Sequence, residues 1–232
     1  MLRAMAVQIH AMPIGADNVY VVRDEGTIVI DGGVPGKSQL LAPALDAAGV
    51  CPTDIGLVVV THGHWDHIGC AATLKELTKA PLAMHHSERD WLEKPQVISP
   101  PGATTWGRML GALSNALLVP SVRLEPTEVD VVVPDDGLSL SAYGVRGKVL
   151  HTPGHSVGSL TVLLDSGDAF VGDLAMNTLP LRIGPGLPIF ADDLSVARAS
   201  LKRLLSLGAT TIHPAHGASF PAEKLRRSSA LS

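Results

Sequence analysis

The sequence predicts an α+β fold in which two β-rich halves pack sheet against sheet with helices outside, an αββα sandwich. Three observations point there. The elements run strands, helix, strand, helix, insertion, then strands, helix, strand, so two halves of similar make-up follow one another. The strand at Ile55-Gly56-Leu57-Val58-Val59-Val60 is a continuous apolar run, which asks for cover on both faces. Of the 232 residues, 46% are hydrophobic but only 3% aromatic, so a sizeable core must be built from Val, Leu, Ile and Ala.

Taken in order, residues 5–31 alternate and turn as a β-meander. Val19–Val22 and Thr27–Ile30 are strands joined by Asp24-Glu25-Gly26, and the second ends in Asp31-Gly32-Gly33. Pro35 opens a helix whose Leu40, Leu41, Ala44, Leu45 and Ala48 share a face, and Gly49 closes it. After the 55–60 strand, Ile68, Ala71, Ala72, Leu74 and Leu77 mark a helix to about Lys79. Pro81–Met84 is a short strand ending at His85-His86; neighbours on a strand face opposite ways, so one of the pair is read as supporting a metal site and the other as facing solvent. Residues 87–128 form a helical insertion: Ser87–Leu92 is a short helix, and Trp106, Met109, Leu110, Leu113 and Leu117 recur at helical spacing. Such a stripe is ordinarily core; a pocket cover and a subunit contact are the other two readings.

The second half begins near Val129, with strands at Val131–Val133, Leu138–Tyr143, Val145–Leu150, Leu160–Leu164 and Ala169–Val171. A Pro/Gly-rich loop, Leu179–Pro188, precedes a helix that starts near Asp192/Asp193 and stops at Gly208; Thr210–His213 is the last strand. With no linker or low-complexity segment, residues 1–232 read as a single domain.

Net charge is −4, and the only cluster of bases is Lys224-Leu225-Arg226-Arg227, read as a solvated terminal helix, so a nucleic-acid partner is not expected. Cys51 and Cys70 are read as reduced thiols rather than a disulfide framework. Residues 1–10 lack the long apolar segment of an export signal, and no apolar run reaches about 18 residues. The expectation is a soluble cytoplasmic protein with a small-molecule substrate and no membrane partner. Self-association is left open.

The chemistry concentrates at Thr61-His62-Gly63-His64-Trp65-Asp66-His67, between the apolar strand and the following helix. In extended chain, residues two apart point the same way, so His62 and His64 can grip one cation. Asp66 and His67 lie where the chain turns and can serve a second. Three more polar points follow apolar strands beside glycine: His151-Thr152-Pro153-Gly154-His155-Ser156-Val157-Gly158-Ser159, Val171-Gly172-Asp173 and His213-Pro214-Ala215-His216-Gly217. Each alone is a weak signal. Together with the 61–67 loop they supply enough donors for two metal ions.

In these motifs and their order the chain resembles the metallo-β-lactamase superfamily, and within it the glyoxalase II-like hydrolases: VIDGG, THGHWDHIG, HTPGHSVGS, GD and AHG span about residues 17–217. The resemblance implies the αββα metallo-β-lactamase fold with two divalent metal ions, Zn²⁺ foremost and Fe or Mn as alternatives, at one edge. It implies that His62, His64 and His155 hold one ion, that Asp66, His67 and His216 hold the other, and that Asp173 bridges them. Asp31 then braces the metal loop, and Asp66 is the candidate catalytic proton shuttle. His151 and His213 match no ligand of that family.

The resemblance also narrows the substrate. True β-lactamases of the superfamily commonly have Cys where Asp173 stands. Dedicated glyoxalase II enzymes carry a helical C-terminal domain, whereas this chain ends soon after His216. Acyl-homoserine lactonases carry a tyrosine shortly after the bridging aspartate, where this chain has Leu174-Ala175-Met176-Asn177. The expectation is therefore hydrolysis of a small ester, thioester or lactone in a pocket lined from residues 87–128 and 179–188. The competing class is a persulfide dioxygenase-like oxidoreductase with one iron on His62, His155 and Asp173. Phosphodiester or β-lactam hydrolysis ranks below both.

Overall fold

Val19 and Val21 pack towards helices while Tyr20 and Val22, between and after them, pack towards a second sheet, and that alternation with both faces buried sets the architecture. The protein is described by a computed structural model covering residues 6–227, so the expected start of the meander at residue 5 lies outside the described residues. The first sheet holds β1 (Gln8–Ile14), β2 (Asp17–Arg23), β3 (Thr27–Ile30), β4 (Ile55–Val59), β5 (Leu82–His85) and β6 (Val131–Val133), adjacent in that order. The second holds β7 (Leu138–Ser139), β8 (Gly147–His151), β9 (Leu160–Leu164), β10 (Asp168–Gly172), β11 (Thr211–Pro214) and β12 (Phe220–Pro221), again adjacent in chain order. Both sheets are mixed: β3 to β6 run parallel, as do β10 and β11, and the remaining neighbours are antiparallel.

Three apolar layers hold these sheets. Between them lie Ile28, Ile30, Leu57 and Val59 from one side and Val149, Leu160, Val162 and Phe170 from the other. Outside the first sheet pack α1 (Leu41–Ala47) and α3 (Ala71–Thr78), through Leu41, Leu45 and Leu74. Outside the second packs α6 (Leu194–Ser206), through Ala197, Leu201, Leu204 and Leu205. Each fully buried aliphatic side chain stabilises by roughly 1.5–3 kcal/mol, so these layers supply most of the favourable free energy. No helix among the described residues is long and apolar enough to cross a membrane.

Several boundaries differ from the sequence reading. The expected strand over Leu138–Tyr143 stops at Ser139, because Ser141–Tyr143 make a 3₁₀ turn into Gly144 at φ 70°. The helix expected from Pro35 begins as a 3₁₀ turn, Ser38–Leu40, before α1. The terminal helix Glu223–Arg226 exists, yet its Leu225 is fully buried against α6, so it is docked rather than solvated all round.

The insertion carries a short helix, α4 (Arg89–Glu93), and a longer one, α5 (Thr105–Leu117). Its apolar stripe is not core: Trp106, Met109, Leu113 and Leu117 are 44–67% exposed. The start of the longer helix is fastened to the 189–191 segment. There Ala103 N–H donates to Ile189 O at 2.8 Å, and a Cβ on Gly107 would collide with that same carbonyl. Helical periodicity reports that a face is apolar; what covers the face is decided elsewhere.

Candidate metal centre

The C-terminal end of β3, the β4–α3 connection, the β8–β9 loop and the ends of β10 and β11 all open on one edge of the sandwich. The β1–β2 turn brings Asp17 to the same edge, where Asn18 N–H donates to Ala215 O at 2.9 Å across the sheets. The seven side chains singled out by the sequence meet there. His62 Nε2 lies 3.1 Å from His155 Nε2, which lies 2.9 Å from His64 Nδ1. Donor atoms around a tetrahedral Zn²⁺ sit about 3.3 Å apart, given metal–nitrogen distances near 2.0–2.1 Å. Three ring nitrogens at that spacing make a cation-sized nest. Beside it, His216 Nε2 is 3.6 Å from Asp66 Oδ2 and 3.4 Å from Asp173 Oδ2, and His67 Nε2 is 3.5 Å from Asp173 Oδ1. Asp173 also faces His155 at 3.6 Å, so it stands between the two groups.

The local fold explains the aim of each ring. Past Ile30 the chain turns at Asp31, held at φ 67°, and its carboxylate accepts Thr61 N–H and Thr61 Oγ–H, both at 2.8 Å. The same carboxylate faces His67 Nδ1 at 3.1 Å. The short helix α2 (Trp65–Ile68) starts from His64 O, which accepts the His67 and Ile68 amides, and this aims Asp66 and His67 differently from His62 and His64, with the His67 ring tilted against His62 at 3.9 Å between centroids. His155 Nδ1 donates to Phe190 O at 2.9 Å, and His216 Nδ1 lies 2.9 Å from Asp17 Oδ1. In His67, His155 and His216 the outer nitrogen is thus engaged, which turns the inner lone pair towards the centre.

Electrostatics separate the two groups. Burial drives His62 well below its usual pKa and takes His64 down to about 3, with neighbouring imidazoles adding to the effect, so these rings are neutral donors. His67 and His216 go the other way: burial opposes their charge, but the carboxylates of Asp31 and Asp173 around His67, and of Asp173 and Asp17 around His216, raise both well above the usual range. Asp173 is held well below it, because burial is outweighed by His216 and His67. Burial, with the Asp66 carboxylate adding to it, lifts Asp17 to about 6 against the pull of His216. This second group has an excess of carboxylate and calls for positive charge. His67 Nε2 and Asp173 Oδ1, both buried, have no hydrogen-bond partner. A buried ring nitrogen and a buried carboxylate oxygen facing each other at 3.5 Å fit a divalent cation in place of a proton.

Two supporting residues escaped the sequence reading. Asp17 orients His216 from the first position of β2. Glu88, fully buried, accepts Gly63 N–H and Gly158 N–H, each at 2.6 Å, and so ties the 62–64 loop to the 155–159 loop. A Cβ on Gly63 would come within 2.6 Å of the Trp91 ring, so that loop position requires glycine. Conversely, His85 is buried but supports none of the seven: its Nε2 meets Asp135 at 3.1 Å. His86 is half exposed, and His213 is spent on Asp168 and Ser219.

This fold and edge define a class. A sequence profile of the metallo-beta-lactamase superfamily matches residues 13–216, and the chain belongs to that superfamily. Among its relatives, the probable metallo-hydrolase YqgX of Bacillus subtilis (strain 168) is 24% identical over 164 residues, covering 70% of this chain and 67% of that one. An uncharacterized protein of Aquifex aeolicus (strain VF5) is 32% identical over 155 residues, covering 65% and 62%. The crystal structure of the BLEG-1 B3 metallo-beta-lactamase superposes with a TM-score of 0.68 at 22% identity, covering 94% of this chain and 95% of that one. TTHA1623 in a di-iron-bound form superposes with a TM-score of 0.63 at 28% identity, covering 95% and 97%.

Proposed function

We propose that the chain, a metallo-hydrolase of this superfamily, binds two divalent cations and hydrolyses a small ester, thioester or lactone. The observation that carries this reading is the edge itself: seven donor side chains face one another with their supporting hydrogen bonds turned outward. His62, His64 and His155 are assigned to one cation, Asp66, His67 and His216 to the other, and Asp173 to both. The imidazole-rich first group favours Zn²⁺; the carboxylate-rich second group suits Zn²⁺, Fe or Mn, and the di-iron form of TTHA1623 is in keeping with that latitude. When bound, such a cation pair supplies an ionised water near neutral pH and polarises a carbonyl oxygen.

The chain's own residues supply the rest. Asp66, half-buried, has one carboxylate oxygen beside His216; burial is outweighed by His216 and His67, which keep it ionised and able to take a proton. Asp31, Asp17 and the Phe190 carbonyl fix the rings. The insertion reaches the site directly through Glu88 and Trp91, which lie against the 62–64 loop, and indirectly where Ala103 and Pro101 bond the 189–191 segment, whose Phe190 carbonyl holds His155; Trp106 Nε1 donates to Pro180 O at 2.8 Å. We read the 87–128 insertion and the 179–188 loop as the substrate-facing wall.

Metal analysis of the purified protein combined with an oxygen electrode tests the reaction class. Two equivalents at the edge, ester or lactone turnover without oxygen uptake, and loss of turnover in both His62→Ala and Asp173→Ala with an unchanged circular-dichroism spectrum are expected. Oxygen consumption by a one-iron protein would replace this reading with the oxygenase. Trp106→Ala is expected to reorder kcat/KM among a panel of thioesters and lactones at constant metal content; an unchanged ranking would remove the insertion from the substrate wall.

A further inference from the structure

Outside the seven-residue edge, a second set of donors converges where the chain crosses between sheets. Asp135 sits in the Pro134–Gly137 turn between β6 and β7, and its Oδ1 is 3.1 Å from His85 Nε2, 2.8 Å from His86 Nε2 and 3.7 Å from His151 Nδ1. His85 ends β5 in the first sheet and His151 ends β8 in the second, and the two rings stack with centroids 4.1 Å apart. His86 lies just past the end of β5, where strand alternation has lapsed, so both adjacent histidines reach one carboxylate oxygen.

From this juxtaposition we propose that His85, Asp135 and His151, with His86 as an exposed fourth donor, form a separate binding site for a borderline divalent cation, Zn²⁺ by preference. The tautomers point the same way. His151 Nε2 is 2.8 Å from Val157 O, so that nitrogen donates its hydrogen to the carbonyl and, in the neutral ring, Nδ1 carries the lone pair. That lone pair faces a carboxylate oxygen, two acceptors with no hydrogen between them. A cation resolves the opposition, and the three donor atoms all lie within 4.8 Å of one another. His85 is buried and held at a pKa of about 4 by burial and by His151 and His86, so its ring is neutral at pH 7. The cation takes the place of the hydrogen on His85 Nε2. That proton moves to Nδ1, at the expense of the 3.3 Å contact from Ser87 N–H. Two imidazoles, a carboxylate and an exposed third imidazole suit Zn²⁺, with Ni²⁺ and Cu²⁺ as competitors, and do not suit Mg²⁺ or Ca²⁺. Occupation would clamp β5, the crossing turn and β8 together, so the role is structural.

The test is equilibrium dialysis of the full chain against buffered Zn²⁺ with elemental analysis. Wild type is expected to saturate with one equivalent more than Asp135→Ala/His151→Gln, while both hydrolyse a test ester equally. The His62→Ala/Asp173→Ala protein is expected to retain that extra equivalent, which separates this site from the catalytic edge. If the first double variant fails to fold, Asp135→Asn alone tests the same loss, since Asp135 is 71% exposed. Equal zinc uptake by wild type and variant, or a zinc-soaked crystal with no anomalous peak between His85 and His151, would overturn the proposal.

Discussion

At the scale of single residues, the site divides into the groups proposed to chelate and the groups that aim them. His62, His64, Asp66 and His67 declared themselves because their chemistry is local: alternate positions of an extended segment, then a turn. Asp17 and Glu88 did not, because their roles are set by what the fold brings opposite them. Glu88 meets amides 25 and 70 positions away, and nothing near it in sequence marks it as more than a surface helix residue. Asp17 reaches His216 from the opposite end of the chain. Removing its charge while keeping its shape should leave His216 loosely aimed. Asp17→Asn is therefore expected to weaken metal binding about 10–100-fold, the range for losing a carboxylate behind a ligating histidine. Chelator competition measures it, and an unchanged dissociation constant would show that His216 needs no such brace.

At the scale of elements, α6 covers the outside of the second sheet and starts three residues after Ala191, just past the segment whose Phe190 holds His155. Asp193 caps it, its Oδ1 accepting Ser195 N–H at 2.7 Å and Val196 N–H at 3.1 Å. That cap and the buried face Ala197, Leu201, Leu204 and Leu205 were both legible, because capping and helical spacing act within a few residues. Asp193→Ala is expected to cost about 1 kcal/mol, a fall in Tm of about 2–4 °C for a chain of this size. A thermal melt with no shift would mean the helix start is fixed by tertiary contacts alone. The insertion's longer helix was equally legible as a helix and misleading as core. Its periodicity is genuine, but the packing partner that would bury the stripe does not lie among the described residues of this chain.

Over the whole molecule, the two sheets are also joined at the end away from the metal edge. Asp24 in the β2–β3 turn binds Arg146, Oδ1 to Nη2 at 2.6 Å and Oδ2 to Nε at 2.8 Å, and accepts the Arg146 amide. These bonds hold the Asp24 carboxyl below its usual pKa, against the opposing effect of burial. With the folded value below the unfolded one of about 3.9, the contribution is complete above that pH and disappears as pH falls through the folded value. Asp24→Asn is thus expected to destabilise by about 1–3 kcal/mol at neutral pH, a difference that shrinks below about pH 4. Denaturation midpoints taken across pH check the sign, and a gap that stayed constant into acid would refute the linkage. By itself the sequence determined the sandwich class, the core strands and which residue types crowd the ends of those strands. Periodicity, glycine placement and metal-type spacing are all short-range, and short-range rules can be read along a chain. Only the tertiary structure decided that seven donors from four segments share one edge, that Asp17 and Glu88 stand behind them, and that His85 and His151 face each other across the seam. Those facts depend on sheet order and register, which are fixed by the simultaneous burial of many side chains and not by any one stretch of sequence.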